Sequence, residues 1–136
     1  MSIPILIVNN DRAARTMMRQ SLEAAGHTIM EADDVESGLA ILRTSQGAMV
    51  TLFTVALFNN IMTGTDGVAF LGAAAWDSRA GHEHAFVIVT PTPEHLEAAL
   101  GRLLAHLSVP ILAEPFTVDD LVRVVDETMQ RLPIPA

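Results

Sequence analysis

A chain of 136 residues has the length of one ordinary domain and can bury about two-thirds of its unfolded surface; at 50% hydrophobic and 18% charged it is too apolar for a disordered segment. Eight arginines and no lysine stand against 16 acids, for a net charge of −8, which excludes a nucleic-acid backbone or an anionic membrane as the main partner, since both need a positive surface. The absence of cysteine removes disulfides, thiolate nucleophiles and Cys-ligated metals, fits a reducing compartment and makes the cytoplasm the expected location.

The first apolar run, Ile3–Val8, is β-branched and continuous, as buried parallel strands are. It is too short for a membrane span or a signal peptide. Asn10 or Asp11 can cap a helix over 12–25 with Ala14, Met18, Leu22 and Ala25 on one stripe, closed by Gly26. A short strand follows at His27–Glu31. Asp33 and Glu36 then stand at capping-box spacing before a helix carrying Val35, Leu39 and Leu42.

Leu52–Phe58 reads as the third strand, followed by a polar, Gly-bearing loop from Asn59 to Gly67 and a helix with Val68, Leu71, Ala75 and Trp76. Asp77–His84 reads as loop and Ala85–Val89 as the fourth strand. Thr92-Pro93 matches an N-cap with Pro at the first helical position, so the fourth helix is expected from there, with Leu96, Leu100, Leu103 and Leu107 inward. Val109–Leu112 is the expected fifth strand. Thr117 opens the last helix, whose stripe is Val118, Leu121, Val122, Val125, Met129 and Leu132. Asp119/Arg123 and Glu127/Arg131 stand as i,i+4 pairs.

Strands alternating with helices imply a five-stranded parallel sheet with helices on both faces and right-handed crossovers. Function in such sheets gathers beyond the carboxyl ends of the strands. That directs attention to Asn9-Asn10-Asp11, Asn59, Thr90 and Glu114-Pro115.

Those positions carry a resemblance. ILIVNNDRAAR resembles the first strand and acid pair of response-regulator receiver domains. FNNIMTGTDG resembles their phosphoacceptor loop, usually Asp-x-x-Met-Pro-Gly-x-Asp-Gly. VIVT resembles the fourth strand with its switch Thr or Ser, and AEPF the Lys-Pro-Phe that ends the fifth. The resemblance spans about residues 3–132. It implies a CheY-like, flavodoxin-like (βα)5 fold, a doubly wound three-layer α/β/α architecture. By that resemblance residues 1–132 are expected to form one receiver-like domain and 133–136 a tail or linker stub.

In that family the acid pair and the phosphoacceptor Asp bind Mg²⁺, the Asp takes a phosphoryl group, and the Thr/Ser and Lys contact it. Carried over residue by residue, the resemblance places Asn9 and Asn10 at the acid pair and Asn59 at the phosphoacceptor. It places Thr90 at the switch hydroxyl, Glu114 at the Lys and Ile111 at the aromatic switch. Amides are poor ligands for a hard cation, an amide is no phosphoryl nucleophile, and Glu114 repels the charge that Lys neutralises. The expectation is a degenerate, pseudo-receiver site with no enzymatic activity, no cofactor and no bound Mg²⁺. It would work within two-component or phosphorelay-type signalling through a protein partner or homodimer. The face built from the fourth helix, fifth strand and fifth helix, with His95, Arg102, His106 and Arg123, is the expected interface. Glu114 is expected to accept hydrogen bonds from the amides, since a carboxylate accepts and Asn donates. The family's Lys-Pro bond is usually cis, which poses the same question for Glu114-Pro115.

Plainer readings stand beside these. Asn10 serves equally as a helix cap, Asp11 as an acid at a helix N-terminus, and Asp66-Gly67 as a turn. His82, His84 and His95 read as loop residues rather than metal ligands, with no evident further ligand. Two alternatives concern function: small-molecule sensing in the amide-lined cleft, and phosphate acceptance by a non-standard Asp, Asp11 or Asp66. A flavin site lacks a phosphate cradle after the first strand.

Overall fold

The computed structural model describes residues 3–44, 48–55, 69–73, 84–96 and 98–131. The strands are β1 (Ile5–Val8), β2 (Ile29–Ala32), β3 (Met49–Thr54), β4 (His84–Thr90) and β5 (Ile111–Ala113). The helices are α1 (Arg12–Ala24), α2 (Val35–Thr44), α3 (69–73), α4 (Ala98–Leu107) and α5 (Val118–Gln130). All strand pairings are parallel, in the order β2-β1-β3-β4-β5. This is the doubly wound flavodoxin-like order, with its switch point between β1 and β3. The expected fold class is the observed one.

Alternation along each strand feeds two cores. Leu6, Val8, Phe53 and Ile88 face Leu42 of α2, Phe70 and Leu71 of α3, and Leu100 and Leu104 of α4. Ile5, Ile7, Leu52, Val87 and Val89 face Met18 and Leu22 of α1 and Leu121 and Val125 of α5. The first core holds the aromatic stack: Phe53 and Phe70 centroids lie 4.8 Å apart, and Phe70 meets Phe86 edge-on at 6.1 Å. The second core is almost wholly aliphatic. At Gly38 of α2 an added Cβ would stand 3.0 Å from Phe70 Cε2 and 3.1 Å from Val8 Cγ2, so the missing side chain lets α2 close on β1.

Several boundaries differ from expectation. β3 starts at Met49 and ends at Thr54, not Leu52–Phe58, because pairing decides: its register with β4 runs from Met49 opposite His84 to Thr54 opposite Val89. β2 shifts to Ile29–Ala32 and β5 to Ile111–Ala113, while β4 gains His84 and Thr90 at its ends. Thr92 makes no side-chain cap; Pro93–His95 form a 3₁₀ turn, Leu96 is extended, and α4 begins at Ala98. The cap of α2 is Asp34, accepting the Ser37 N–H at 2.7 Å, one residue beyond the expected Asp33. Thr117 caps α5 in a reciprocal box with Asp120. Arg123 pairs with Asp120 at 2.6 Å, not with Asp119. Val118, expected inward, is exposed in the first turn of α5. Val68, Ala75, Trp76, His82 and Leu132 lie outside the described residues, as does the tail.

Helices α1 and α4 end alike. After α1 the His27 N–H bonds to Leu22 O and the Gly26 N–H to Glu23 O; after α4 the Val109 N–H bonds to Leu104 O and the Ser108 N–H to Ala105 O. Both are Schellman closures with a left-handed residue. Gly26 has φ +96 and Ser108 has φ +56, so the second closure puts a side chain where glycine is the easy choice.

Candidate functional site at the carboxyl edge of the sheet

β1 delivers Asn9 to the edge, where its N–H bonds to Ala32 O at 3.0 Å. Its side chain is buried, and Oδ1 accepts the Asp11 N–H at 2.8 Å. Asp11 is the N-cap of α1; its Oδ1 accepts the Ala13 N–H at 3.0 Å and the Ala14 N–H at 3.3 Å. Asn10, between them, is exposed. Of the two expected cap candidates the role falls to Asp11, and Asn9 supports the loop that places it.

Thr90, buried at the end of β4, accepts the Thr92 N–H on Oγ1 at 3.2 Å. Its carbonyl accepts the Glu114 N–H at 2.8 Å, which fixes the last residue of β4 beside the loop after β5. Glu114-Pro115 is cis. Glu114 is half-buried in a 200 Å³ hollow with Ala14, Met17, Met18 and Phe116. Burial, and secondarily the negative charge of Asp11, raise its carboxyl above the usual glutamate value.

Among the described residues Asn9 makes no hydrogen bond to Glu114; its Oδ1 is taken by the Asp11 N–H and its carbonyl by Arg15. Asn9 is turned onto its own loop, and the charge that Glu114 senses is that of Asp11. Asn59 lies outside the described residues. The residue directly after β3 is instead Val55, buried, with its N–H bonded to Val89 O at 2.9 Å. Asp66 and His82 also lie outside them. Among the described residues no cluster of three His, Cys, Asp or Glu side chains could hold a metal ion, and no helix is long and apolar enough to cross a membrane.

A cation also meets this edge. Arg15, on the second turn of α1, donates from Nη1 to Asn9 O at 2.5 Å and from Nε to Glu31 Oε1 at 3.3 Å. Arg19 joins through Glu31 Oε2 at 2.7 Å and Glu23 at 3.5 Å. This partly buried arginine–glutamate network ties α1 to the ends of β1 and β2. The signal was present: Arg15 and Arg19 are one turn apart, and Glu31 is the lone charge in an otherwise apolar β2.

The proposed contact residues are spread across the β5 edge. Arg102 and His106 are exposed on α4, Arg123 is exposed on α5, and the two helices cover opposite faces of the sheet. Between them Ile111 is 42% exposed on β5, the outer strand. His95 belongs to the 3₁₀ turn before α4.

The strand order and the edge geometry together define a CheY-like receiver fold. Solved structures with this fold include the chemotaxis response regulator CheY4 of Vibrio cholerae, with TM-score 0.75 and 19% identity over 94% of this chain and 99% of that one. A CheY-like response regulator receiver domain protein from Methanospirillum hungatei gives TM-score 0.76 and 20% identity over 96% and 95% of the two chains. The receiver domain of the hybrid histidine kinase CckA gives 0.67 and 22% over 93% and 99%. No family model matches the sequence, and no curated protein matches it significantly.

Proposed function

We propose that this chain is a pseudo-receiver: a module of two-component-type signal transduction, not an enzyme, that takes up neither Mg²⁺ nor a phosphoryl group and acts by contact with a protein. The observation that carries this reading is the state of Asn9. It is a buried amide whose oxygen is already committed to the Asp11 N–H. The residues here do not suit a hard divalent cation, which wants several free carboxylate oxygens. Asp11 Oδ1 serves the N-terminus of α1, which also argues against Asp11 as a substitute acceptor. Glu114 adds negative charge where a phosphoryl oxygen needs a cation. Val55 directly after β3 offers no nucleophile.

With no covalent charge to switch it, the module's state would follow its partner's differential affinity. The surface proposed for that contact is the β5 edge with its flanking helices, where exposed Ile111 sits between Arg102, His106 and Arg123, with His95 in the adjoining turn. The partner is a protein or a second copy, in a cytoplasmic setting.

The test is incubation of the protein with Mg²⁺ and acetyl phosphate, read by intact mass, and with beryllofluoride, read by amide chemical shifts. No adduct and no shift at Asn9, Thr90 or Glu114 is the expected result. A stoichiometric phosphoryl adduct overturns the reading.

A further inference from the structure

The opposite edge of the sheet holds a cavity that the receiver reading leaves unused. It measures 390 Å³ and is lined by His84 and Phe86 of β4, Val109 and Pro110 before β5, and Thr128 and Arg131 at the end of α5. That volume falls within the range of small-molecule sites, and a mostly apolar wall with a few convergent polar groups is their usual make-up. We propose that this cavity binds a small organic monocarboxylate with an apolar body.

Three observations point to that chemistry. The first is charge: the chain carries −8 overall, yet no acid is among the described lining residues, while Arg131 is. The second is placement. Exposed Arg131 lines the cavity, with Nη1 in a long 3.5 Å contact to Ser108 O and further N–H donors available, and a guanidinium fork matches a carboxylate. The third is the floor. Thr128 is buried and gives its hydroxyl proton to Val124 O at 2.6 Å, so inside the cavity its oxygen can only accept. Aliphatic and aromatic walls from Phe86, Val109 and Pro110 then suit the ligand's body and leave the anion to the rim. Ser108, in its left-handed conformation, carries the carbonyl that Arg131 contacts. A non-glycine residue in that conformation is the kind of local cost that recurs at ligand sites.

Phenylacetate is the probe, with neutral phenylacetamide as its control. Titrated into the full chain and followed by ¹H–¹⁵N spectra, phenylacetate is expected to give saturable shifts centred on Phe86, Val109, Thr128 and Arg131. Phenylacetamide and the Arg131→Gln variant are each expected to bind at least about tenfold more weakly, the loss of one charge-assisted hydrogen bond. The variant's melting temperature should match the parent's, since Arg131 is exposed. Absence of saturable shifts overturns the proposal. So do shifts centred on Asn9 and Glu114 instead, or equal affinity for acid and amide.

Discussion

The two ends of one sheet are finished in opposite ways. At the carboxyl end several of the described polar groups are turned on each other, Asn9 on Asp11 and Arg15, Asp11 on the first turn of α1 and Thr90 on Thr92, while Thr54 and Glu114 are not. At the amino end an arginine and a histidine border an open cavity, and the helix closure there carries a serine in a glycine conformation. The same strands supply both ends, so the difference lies in the loops. Polar groups that satisfy one another make a firm surface with little left to offer a ligand; an underfilled end with a placed cation keeps its capacity.

The largest effect should come from opening the carboxyl end. Asn9→Ala strips the acceptor from the Asp11 N–H at a buried position and is expected to cost about 1–3 kcal/mol. A urea midpoint that falls while the slope stays constant would show this; an unchanged midpoint would mean that the end is not self-satisfied. Next comes Arg15→Ala, which removes the bond to Asn9 O and the pair with Glu31, for about 1–2 kcal/mol. Glu31→Gln should cost less, because it keeps a hydrogen-bonding oxygen for Arg19.

At the amino end the sign reverses. Ser108→Gly relieves the left-handed residue and should stabilise the fold by about 0.5–1 kcal/mol. Destabilisation on this substitution would show that the serine side chain holds the turn. The smallest effect belongs to Glu114→Gln. Burial and Asp11 hold the Glu114 carboxyl above its usual value of 4.5, so the folded state binds that proton more readily than the unfolded chain. Ionised Glu114 therefore costs stability at neutral pH, and the cost disappears as pH falls through the raised value towards 4.5 and below. Glu114→Gln should melt slightly higher than the parent at pH 7 and converge with it at pH 4. A gap that widens on acidification would refute this sign.

Much of the fold could be read from pattern. β1 is four buried apolar residues in a row, and the stripes of α1 and α5 show which face turns inward, because helical period leaves few choices. What escaped depended on partners distant in sequence. The apolar run after Val50 reads on to Phe58, but β3 stops at Thr54, where pairing with β1 and β4 runs out. Thr51 and Thr54 look like interruptions, yet both are buried in β3 with hydroxyls that have no partner among the described residues. Thr92-Pro93 has the composition of a helix start and forms a 3₁₀ turn, because Leu96 turns extended first. At the site, Asn9, Thr90 and Glu114 were legible because they follow strands. Glu114's surroundings were not, since hydrogen-bond logic favoured the amides while geometry set it beside Asp11. Arg15 escaped because its partners are a backbone carbonyl and a residue 16 positions away.

Among the described residues the sheet ends in two short outer strands, four residues in β2 and three in β5. Strand-by-strand addition of further molecules needs a long flat row of unpaired backbone groups, and short outer strands carrying charge deny it. Here Glu31, clamped by two arginines, puts a fixed ionic group in β2. Concentrated solutions should therefore stay free of thioflavin-positive fibrils, in a chain that is half hydrophobic.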